Sequence, residues 1–462
     1  MMNLIRTFGT AAILGASVLI SASAQDPPSE GALEALLAKL GSDAPEVREA
    51  AMAEILKIGA RAVPALKEAL TTTQDTETRA RLEMLLSELV LPDPSMFFGG
   101  RRHDGTGETD PAVAAALQWL ARHQNADGSW SMDGLHKQCS GTKCAGTGER
   151  DYDVGVTALA TLAYLGAGYT PDSRDGVSGP KLGEVVRSAL KWLIAPQDPE
   201  GCLGARGMKY GYNHAISTLA LAEAYGMTRA EFLKAPTQKA VDFLVAAQNP
   251  GKGWRYSAKC GDNDSSVTAW AVTALELAQV SGLKVPKAAG EGALAWFDEV
   301  TEQNGYYQVG YNARSTGKVY IPGQNEQFDH HATMSAAGSV SRIFMERRTT
   351  APELGARHVV AADLPTWKAN SIDFYYWYYG SLALFQFDGP DGPMWKRWNK
   401  ALVQALVPHQ KTEGCAAGSW DPSMDRWGGD GGRVYATAMN ALTLETSSRF
   451  PVVTGFKKGR RR

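Results

Sequence analysis

The sequence lacks the features that mark several specialised classes of protein. Its 462 residues carry 47 Lys and Arg against 49 Asp and Glu, so no overall basic field indicates nucleic-acid binding. No segment beyond the N-terminus is apolar enough to reach the roughly 20 residues that span a bilayer. Hydrophobic residues at 44% and charged residues at 21% are ordinary for a globular protein. These observations predict about two or three domains that neither bind nucleic acid nor span a membrane.

Cysteine is scarce, and its count is odd. The five cysteines are Cys139, Cys144, Cys202, Cys260 and Cys415. An odd count leaves at least one thiol unpaired within the chain. The pair in CSGTKC, Cys139 and Cys144, could form a disulfide or supply half of a metal site. We predict the disulfide, because no histidine apart from His136 lies nearby at the spacing of a zinc finger.

The two ends of the chain differ from its body. Residues 1–24 contain Arg6, then an uncharged run over 7–20, then small residues, which is the pattern of a secretory signal peptide. We therefore expect cleavage after Ala24 and a soluble protein in the periplasm or outside the cell. Residues 451–462 form a basic tail that we expect to be a solvated terminus.

Residues 30–91 have a helical pattern. The stretch EVREAAMAEILKIGARAVPALKEAL places apolar residues at helical spacing on both sides of Gly59. It resembles HEAT-type repeats, whose short helices bury their apolar faces on a neighbour. The resemblance implies that this unit either packs on the next domain or offers a surface to a partner, and both alternatives stay open. A Pro- and Gly-rich linker over 92–109 follows it.

From residue 110 to residue 450 the chain repeats itself. An amphipathic helix ends in a Gln and in a turn with Gly and often Trp, as in ALQWLARHQNADGSW (116–130) and AVDFLVAAQNPGKGW (240–254). A more apolar, Ala-rich helix follows each turn. Helices that are apolar all round must be buried, whereas helices with one polar face belong outside. The alternation therefore predicts six outer and six inner helices closed into an α/α toroid.

The predicted inner helices share one rim of this ring at their starts. They are expected over 152–167, 213–225, 264–280, 331–345, 373–387 and 434–446. The outer helix of the fifth pair, near Pro352, is expected to be short. The insert over 304–327 breaks the helical pattern, and its alternating aromatics favour a short hairpin. This hairpin could be a lid over the rim or a plain surface excursion.

The turns that run from Gln to Gly-x-Trp resemble the repeats of squalene-hopene cyclases and, more broadly, the prenyltransferase and squalene-oxidase repeat. The resemblance covers roughly 110–450, and the later part is similar to an exported subgroup from planctomycete-like bacteria. It implies an all-α fold with a single (α/α)6 toroid, but one toroid serves cyclases, prenyltransferases and binding proteins. Turn residues with a predicted scaffold role are Gln124, Gln197, Gln248, Gln410, Trp130, Trp254 and Trp420.

Polar and aromatic residues recur at the starts of the predicted inner helices. One position in each repeat is occupied by Asp153, Asn213, Asp264, His331, Tyr376 and Arg433. The residues beside this position are Asp151, Tyr152, His214, Asp262, Asp329, His330, Tyr375 and Trp377. Asp and Asn are preferred N-caps, so the acids and the amide could serve the scaffold alone. His, Tyr and Arg are poor caps, and the set as a whole could bind a polar ligand at the rim.

The resemblance to triterpene cyclases suggests a specific role for two of these acids. Those enzymes protonate an alkene with an Asp-x-Asp-Asp motif at the start of an inner helix. Here the matching residues are Asp262, Asn263, Asp264 and Ser265, so Asp264 falls on the proton donor and Ser265 replaces the last acid. Those cyclases also join two toroids, whereas this chain has room for one.

The function that we expect from the sequence is the binding of an unidentified small molecule or protein partner at the inner-helix rim. The expected ligand-binding residues are Asp153, Asn213, His214, His330, His331, Tyr376 and Arg433. One alternative is a terpene-cyclase-like isomerase with Asp264 and Asp262 as catalytic acids. The other alternative is a toroid polysaccharide lyase that uses Asp262, Asp264 and Arg433. No cofactor is predicted, and metal binding stays open.

A second disulfide is predicted between Cys202 and Cys260. Each of these residues lies in the connection before an inner helix, in adjacent repeats that bring equivalent connections together. Cys415 would then remain free. It occupies the similar connection in the sixth repeat, so closure of the ring would bring it near the CSGTKC loop. The chief competing arrangement is therefore a bond from Cys139 or Cys144 to Cys415.

Overall fold

A computed structural model describes residues 30–58, 62–89, 109–174, 181–207, 209–303, 306–314, 332–346, 357 and 360–449. The predicted signal peptide, most of the 304–327 insert, His330 and His331, the predicted outer helix near Pro352 and the basic tail lie outside these residues. Contacts divide the chain into a unit that ends at Val90 and a unit that begins at Leu91. None of the helices in the described ranges is long and apolar enough to cross a membrane.

The smaller unit contains four helices around one apolar core. They are α1 Glu30–Lys39, α2 Pro45–Ile58, α3 Val63–Thr72 and α4 Thr76–Leu89. Pro64 stands in the first turn of α3, where its missing N–H leaves no helical hydrogen bond unmade. The side chains that α2, α3 and α4 turn inward, among them Ile55, Leu66 and Leu85, are fully buried. This is the small helical unit that the sequence predicts.

The larger unit alternates outer and inner helices. The outer helices are α5 Asp110–Arg122, α7 Leu182–Ile194, α9 Glu231–Ala247, α11 Lys287–Val300 and α14 Pro393–Leu406. The inner helices are α6 Asp153–Gly166, α8 Tyr210–Thr228, α10 Ser265–Val280, α12 Thr333–Glu346, α13 Phe374–Asp388 and α15 Gly428–Leu444, and a short α16 Thr446–Arg449 follows. Most residues of α6, α8, α10 and α13 are buried, as expected for helices that neighbours surround on all sides.

The inner helices form a closed ring. Each packs on the next in the order α6, α8, α10, α12, α13 and α15, and α15 packs back on α6. The outer helices cover this ring, with α7 on α6, α9 on α8 and α14 on α13. The predicted (α/α)6 toroid is therefore confirmed. The described secondary structure is helical apart from two isolated β-bridges, Trp254 with Asp264 and Thr301 with Val309.

The Gln side chains of the repeats connect neighbouring pairs of helices. Each amide nitrogen donates to a carbonyl of its own turn and to a carbonyl in the next outer helix. The second acceptors of Gln124, Gln197, Gln248 and Gln410 are Val185 O, Pro236 O, Ala289 O and Ala112 O, at 2.8–3.0 Å. The last of these bonds runs from the sixth repeat to the first helix of the toroid. The predicted scaffold role of the four Gln residues is confirmed.

The Trp residues of the repeats cap the outer helices. The indole nitrogens of Trp130, Trp254 and Trp420 donate to Leu120 O, Leu244 O and Leu406 O at 2.7–2.8 Å. All three rings are almost completely buried. Each ring therefore fills the space behind a turn and also satisfies a carbonyl that the end of a helix leaves open.

Substitution of Gln410 by leucine is expected to destabilise the protein by about 1–3 kcal/mol, because it leaves two carbonyls without their donor where the ring closes. Unfolding in urea measures this change. Gln308→Leu is the matched control, because the Gln308 side chain is exposed and its change should stay within about 0.5 kcal/mol. Equal stability of the two variants would contradict a role of Gln410 in ring closure.

Candidate functional site

A cavity of about 250 Å³ lies where the starts of the inner helices meet. All six inner helices contribute to its wall. The polar and aromatic lining residues are Tyr152, Lys209, Tyr212, Asn213, Tyr256, Ser266, Trp270, Tyr311, Thr333, Tyr375, Arg426, Trp427, Asp430 and Tyr435. Tyrosine dominates this set, and Asp430 is the one carboxylate among the described lining residues.

Two chains of hydroxyl groups follow the wall of the cavity. The hydroxyls of Tyr256 and Tyr311 lie 2.8 Å apart. In the second chain, Tyr212 donates to Ser266 Oγ at 2.8 Å, and Ser266 Oγ lies 2.7 Å from the hydroxyl of Tyr375. These hydrogen bonds connect three inner helices and the segment 306–314, and they hold the phenol rings in fixed orientations.

Two cations flank the ring of Tyr256. The guanidinium carbon of Arg255 lies 5.0 Å from the ring centroid, and Lys209 Nζ lies 5.7 Å from it. Burial alone would lower the pKa of Lys209, but the tyrosines Tyr152 and Tyr256 raise that pKa above its usual value. Lys209 is therefore charged at neutral pH. Its φ of 57° is unusual for a residue with a side chain, and such strain is frequent at functional sites.

Asp264 is not among the residues that line the cavity. It caps α10, because Oδ1 accepts a hydrogen bond of 2.7 Å from Val267 N, and its side chain is fully buried. The carboxyl group lies next to the hydroxyl of Tyr311 and to Arg255, whose Nε is 3.8 Å from Oδ2. Burial raises the pKa of Asp264 to about 7, although the Val267 amide and Arg255 act to lower it. This carboxyl group therefore titrates near neutral pH.

Tyr311 lines the cavity and is a direct neighbour of Asp264. The segment that carries it is fixed on the start of α10, since Ser265 N donates to Tyr311 O at 2.8 Å and Ser265 Oγ donates to Gly310 O at 2.7 Å. Burial, Asp264 and Tyr256 together raise the pKa of Tyr311 far above its usual value. Tyr311 therefore keeps its proton, and its hydroxyl shares a hydrogen bond of 2.8 Å with that of Tyr256.

Among the residues predicted to bind a ligand, Asn213 lines the cavity. Its amide also connects two inner helices, because Oδ1 accepts from Gly155 N at 3.0 Å and Nδ2 donates to Asp151 O at 2.7 Å. Asp153 lies just outside the wall. Its Oδ1 accepts from Met132 N at 2.8 Å, which positions the loop that contributes Met132 to the cavity.

Three of the other predicted ligand residues have structural contacts away from the cavity. Tyr376 donates to Val360 O and Asp363 O at 3.1 and 2.9 Å, and its neighbour Tyr375 lines the cavity instead. The ring nitrogens of His214 contact Leu203 N at 3.1 Å and Ala240 O at 3.0 Å. The Arg433 side chain donates to Ala145 O, Ser419 Oγ and Asp421 Oδ2 at 2.6–3.1 Å.

The predicted pair of catalytic acids does not form. The side chain of Asp262 is 75% exposed, whereas Asp264 is completely buried. A carboxylic acid that protonates an alkene must touch it, and Asp264 is completely buried and is not among the residues that line the cavity. The sequence did not identify Lys209, Tyr256, Tyr311 or Asp430 as site residues. The available signal was the cluster of tyrosines around the helix starts, as in KYGY (209–212).

Both predicted disulfides are absent from the structure. All five cysteines are free thiols. Cys202 is buried, whereas Cys260 is exposed and its thiol contacts Asp262 O at 3.4 Å, so these two residues do not pair. Cys139 and Cys144 lie close together but unbonded, in a cluster with other side chains that is described below.

Comparison with known proteins supports the fold. No family model and no curated protein matches the sequence. A solved α-amylase from Clostridium perfringens has 10% identity and a TM-score of 0.46, over 74% of this chain and 98% of that one. An inactive variant of an α-1,6-mannanase from Salegentibacter sp., solved with α-1,6-mannotriose, has 10% identity and a TM-score of 0.51, over 73% of this chain and 98% of that one.

These results correct the function expected from the sequence. The mannanase variant is named for action on a glycan, and Tyr376, His214 and Arg433 make structural contacts away from the cavity. The two functions expected from the sequence, a rim that only binds a ligand or partner and a terpene cyclase, are therefore wrong as predictions. The resemblance to squalene-hopene cyclases holds for the toroid and not for the activity.

Proposed function

We propose that this toroid cleaves an acidic polysaccharide by β-elimination. The observation that carries the proposal is the setting of Tyr256 in the cavity wall. Its hydroxyl lies 2.8 Å from that of Tyr311, and the cations Arg255 and Lys209 flank its ring. The cavity wall thus brings together a phenol oxygen, a hydrogen-bonding hydroxyl and two cations, the groups that base-catalysed elimination requires.

Elimination fits the cavity better than hydrolysis does. Most glycoside hydrolases use two carboxyl groups on either side of the scissile bond, at about 5–9.5 Å from each other. Asp430 is the one carboxylate among the described residues of the cavity wall, and Asp264 is completely buried outside that wall. Elimination from a uronic acid requires one base, one proton donor and a cation that neutralises the sugar carboxylate. Tyr256 can act first as the base and then as the proton donor, and Lys209 can be the cation.

The proposed step transfers one proton and breaks one bond. Deprotonated Tyr256 Oη takes the proton from C5, the carbon next to the uronate carboxylate. The electron pair of the C5–H bond forms the C4=C5 double bond, and the bond from C4 to the glycosidic oxygen breaks. The hydroxyl of Tyr256 then returns its proton to the leaving oxygen. Lys209 stabilises the negative charge that the carboxylate gains during this step, and Tyr311 donates to Tyr256 throughout.

Other features of the cavity suit a sugar chain. The rings of Tyr212, Trp427 and Tyr435 offer apolar faces for the C–H surfaces of sugar rings. The mannanase variant with a similar toroid was solved with a bound trisaccharide, which is a precedent for sugar binding on this fold. The signal peptide predicted over 1–24 supports action outside the cytoplasm, where such polymers occur.

The test of the proposed function is incubation of the full chain with polygalacturonate, alginate and glycosaminoglycans, with α-1,6-mannan as a neutral comparison. We expect at least one acidic polymer to release products with the ultraviolet absorbance of an unsaturated uronic acid. New reducing ends without this absorbance would show hydrolysis and overturn the elimination. No cleavage of any acidic polymer would overturn the proposed substrate class.

Lys209→Gln is expected to lower kcat/KM on that acidic polymer by about 10²-fold, because it removes the cation that stabilises the developing charge. Initial rates over a range of substrate concentrations measure the change. Lys234→Gln is the control, since Lys234 is exposed on α9 and lines no part of the cavity. Equal rates for the two variants would remove Lys209 from the mechanism.

A further inference from the structure

Four potential metal ligands meet at the junction of the first and the last repeat. His123 directly follows α5, Cys139 and Cys144 lie in the loop before α6, and Cys415 lies in the turn between α14 and α15. His123 Nε2 is 3.6 Å from Cys139 Sγ, 3.6 Å from Cys144 Sγ and 3.4 Å from Cys415 Sγ. All four ligand atoms lie within 4.8 Å of one another.

The orientation of the imidazole is fixed by its other nitrogen. His123 Nδ1 lies 2.9 Å from Trp119 O, and a carbonyl can only accept, so Nδ1 carries the proton. In the neutral ring Nε2 then presents its lone pair to the three sulfur atoms. A backbone carbonyl that fixes the ring in this way is the usual outer partner of a histidine bound to metal. The stacked ring of Trp119, 4.2 Å away, holds the imidazole further.

The distances fit a tetrahedral ion. Zinc binds sulfur at about 2.3 Å and imidazole nitrogen at about 2.0–2.1 Å, which places tetrahedral N and S ligands about 3.6 Å apart. The observed separations of 3.4–3.6 Å agree with this value. We propose that His123, Cys139, Cys144 and Cys415 bind a structural zinc ion. Because the four side chains complete the coordination, the ion has no open position for catalysis.

The surroundings of the sulfur atoms support this assignment. Cys144 N donates a hydrogen bond of 3.2 Å to Cys139 Sγ, the contact that a metal-bound thiolate commonly receives. His123 and Cys144 are buried, and Cys139 and Cys415 are half-buried, so the site is partly shielded from water.

The proposed ion would connect parts of the chain that are far apart in sequence. Residues 123 and 415 are separated by 292 positions. The loop that carries Cys139 and Cys144 continues to Gly146, whose carbonyl accepts from Arg433 N at 2.7 Å, and to Glu149 N, which donates to Asp430 O at 2.8 Å. The ion would therefore close the ring and also fix the loop that reaches Asp430 in the cavity wall.

Metal analysis of the purified full chain tests this proposal directly. We expect one zinc ion for each chain by plasma mass spectrometry, after metal-free purification and addition of one equivalent of Zn²⁺. Replacement by Co²⁺ should give the visible bands of a tetrahedral site and thiolate-to-cobalt charge transfer. Removal of the ion by a chelator should lower the melting temperature by about 5 °C or more, and zinc should restore it.

Variants separate this site from other thiols. Cys415→Ser and His123→Ala should lose zinc, whereas Cys260→Ser should retain it, because Cys260 is exposed and lies outside the cluster. A chain without zinc whose non-reduced mass shows a disulfide among Cys139, Cys144 and Cys415 would overturn the proposal. Zinc content that stays the same in Cys415→Ser would overturn it too. The measurement on the unchanged chain decides the question even if a variant fails to fold.

Discussion

Tyr256→Phe is expected to lower kcat/KM on the acidic polysaccharide by about 10²–10⁴-fold, the usual contribution of a general base. The substitution removes one oxygen atom and retains the ring between Arg255 and Lys209. The loss should appear in kcat more than in KM, because the hydroxyl acts on the proton at C5 and not on the bulk of the sugar. The rate at which the ultraviolet absorbance of the unsaturated product increases measures the loss of kcat.

Two further variants make this result specific. Tyr306→Phe is the matched control, because Tyr306 is 57% exposed and is not part of the cavity wall, and its rate should not change. Tyr311→Phe removes the donor to Tyr256 and should give a smaller loss of about 10-fold. A Tyr256→Phe enzyme with normal kcat would exclude Tyr256 as the base. The other cavity tyrosines would then have to be tested in turn.

The toroid could be predicted from sequence because its signals are local. Each repeat carries its own amphipathic helix, Gln turn and Ala-rich helix, and burial of the apolar helices requires them to lie inside. Gln124 is an example: its position at the end of an amphipathic helix is visible in the sequence, and in the structure its amide donates to its own turn and to the next outer helix. Because this order of helix, Gln turn and Ala-rich helix recurs along the chain, it can be recognised from the sequence alone.

The cavity could not be predicted in the same way, because its residues depend on exact helical register. Tyr375 and Tyr376 are chemically identical neighbours, but successive helical residues point about 100° apart. Asp373 fixes the register by accepting a hydrogen bond of 2.8 Å from Tyr376 N. One tyrosine therefore lines the cavity, and the other faces the carbonyl oxygens of Val360 and Asp363.

The cysteine cluster was missed for a different reason. Spacing rules for metal sites look for ligands that are close in sequence, and the CSGTKC loop supplies two of them. The other two, His123 and Cys415, approach this loop only when the ring closes. The sequence did indicate that Cys415 would lie near the loop. It could not show that the imidazole of His123 lies next to the three sulfur atoms, because the position of His123 depends on where α5 ends.

Asp264→Asn is expected to remove a pH dependence of stability. The pKa of Asp264 is raised by burial from its ordinary 3.8 to about 7 in the folded protein, so the folded state binds a proton that the unfolded state releases. Stability should therefore fall as pH rises from about 4 to about 7 and should then stay level, with a total loss of up to about 4 kcal/mol. Arg255, at 3.8 Å, reduces this loss by stabilising the ionised form.

The asparagine variant preserves the rest of the site. Its side-chain oxygen can still accept from Val267 N, and Asn is as good an N-cap as Asp. The variant and the natural chain should be about equally stable near pH 4, and above pH 7 the variant should be the more stable of the two.

Urea unfolding between pH 4 and pH 8 measures the difference in stability between the two chains. Asp262→Asn is the comparison variant, because it makes the same chemical change at an exposed side chain in the same loop. If Asp264→Asn has the same pH slope as the natural chain, Asp264 is ionised throughout and the proton near neutral pH resides on another group.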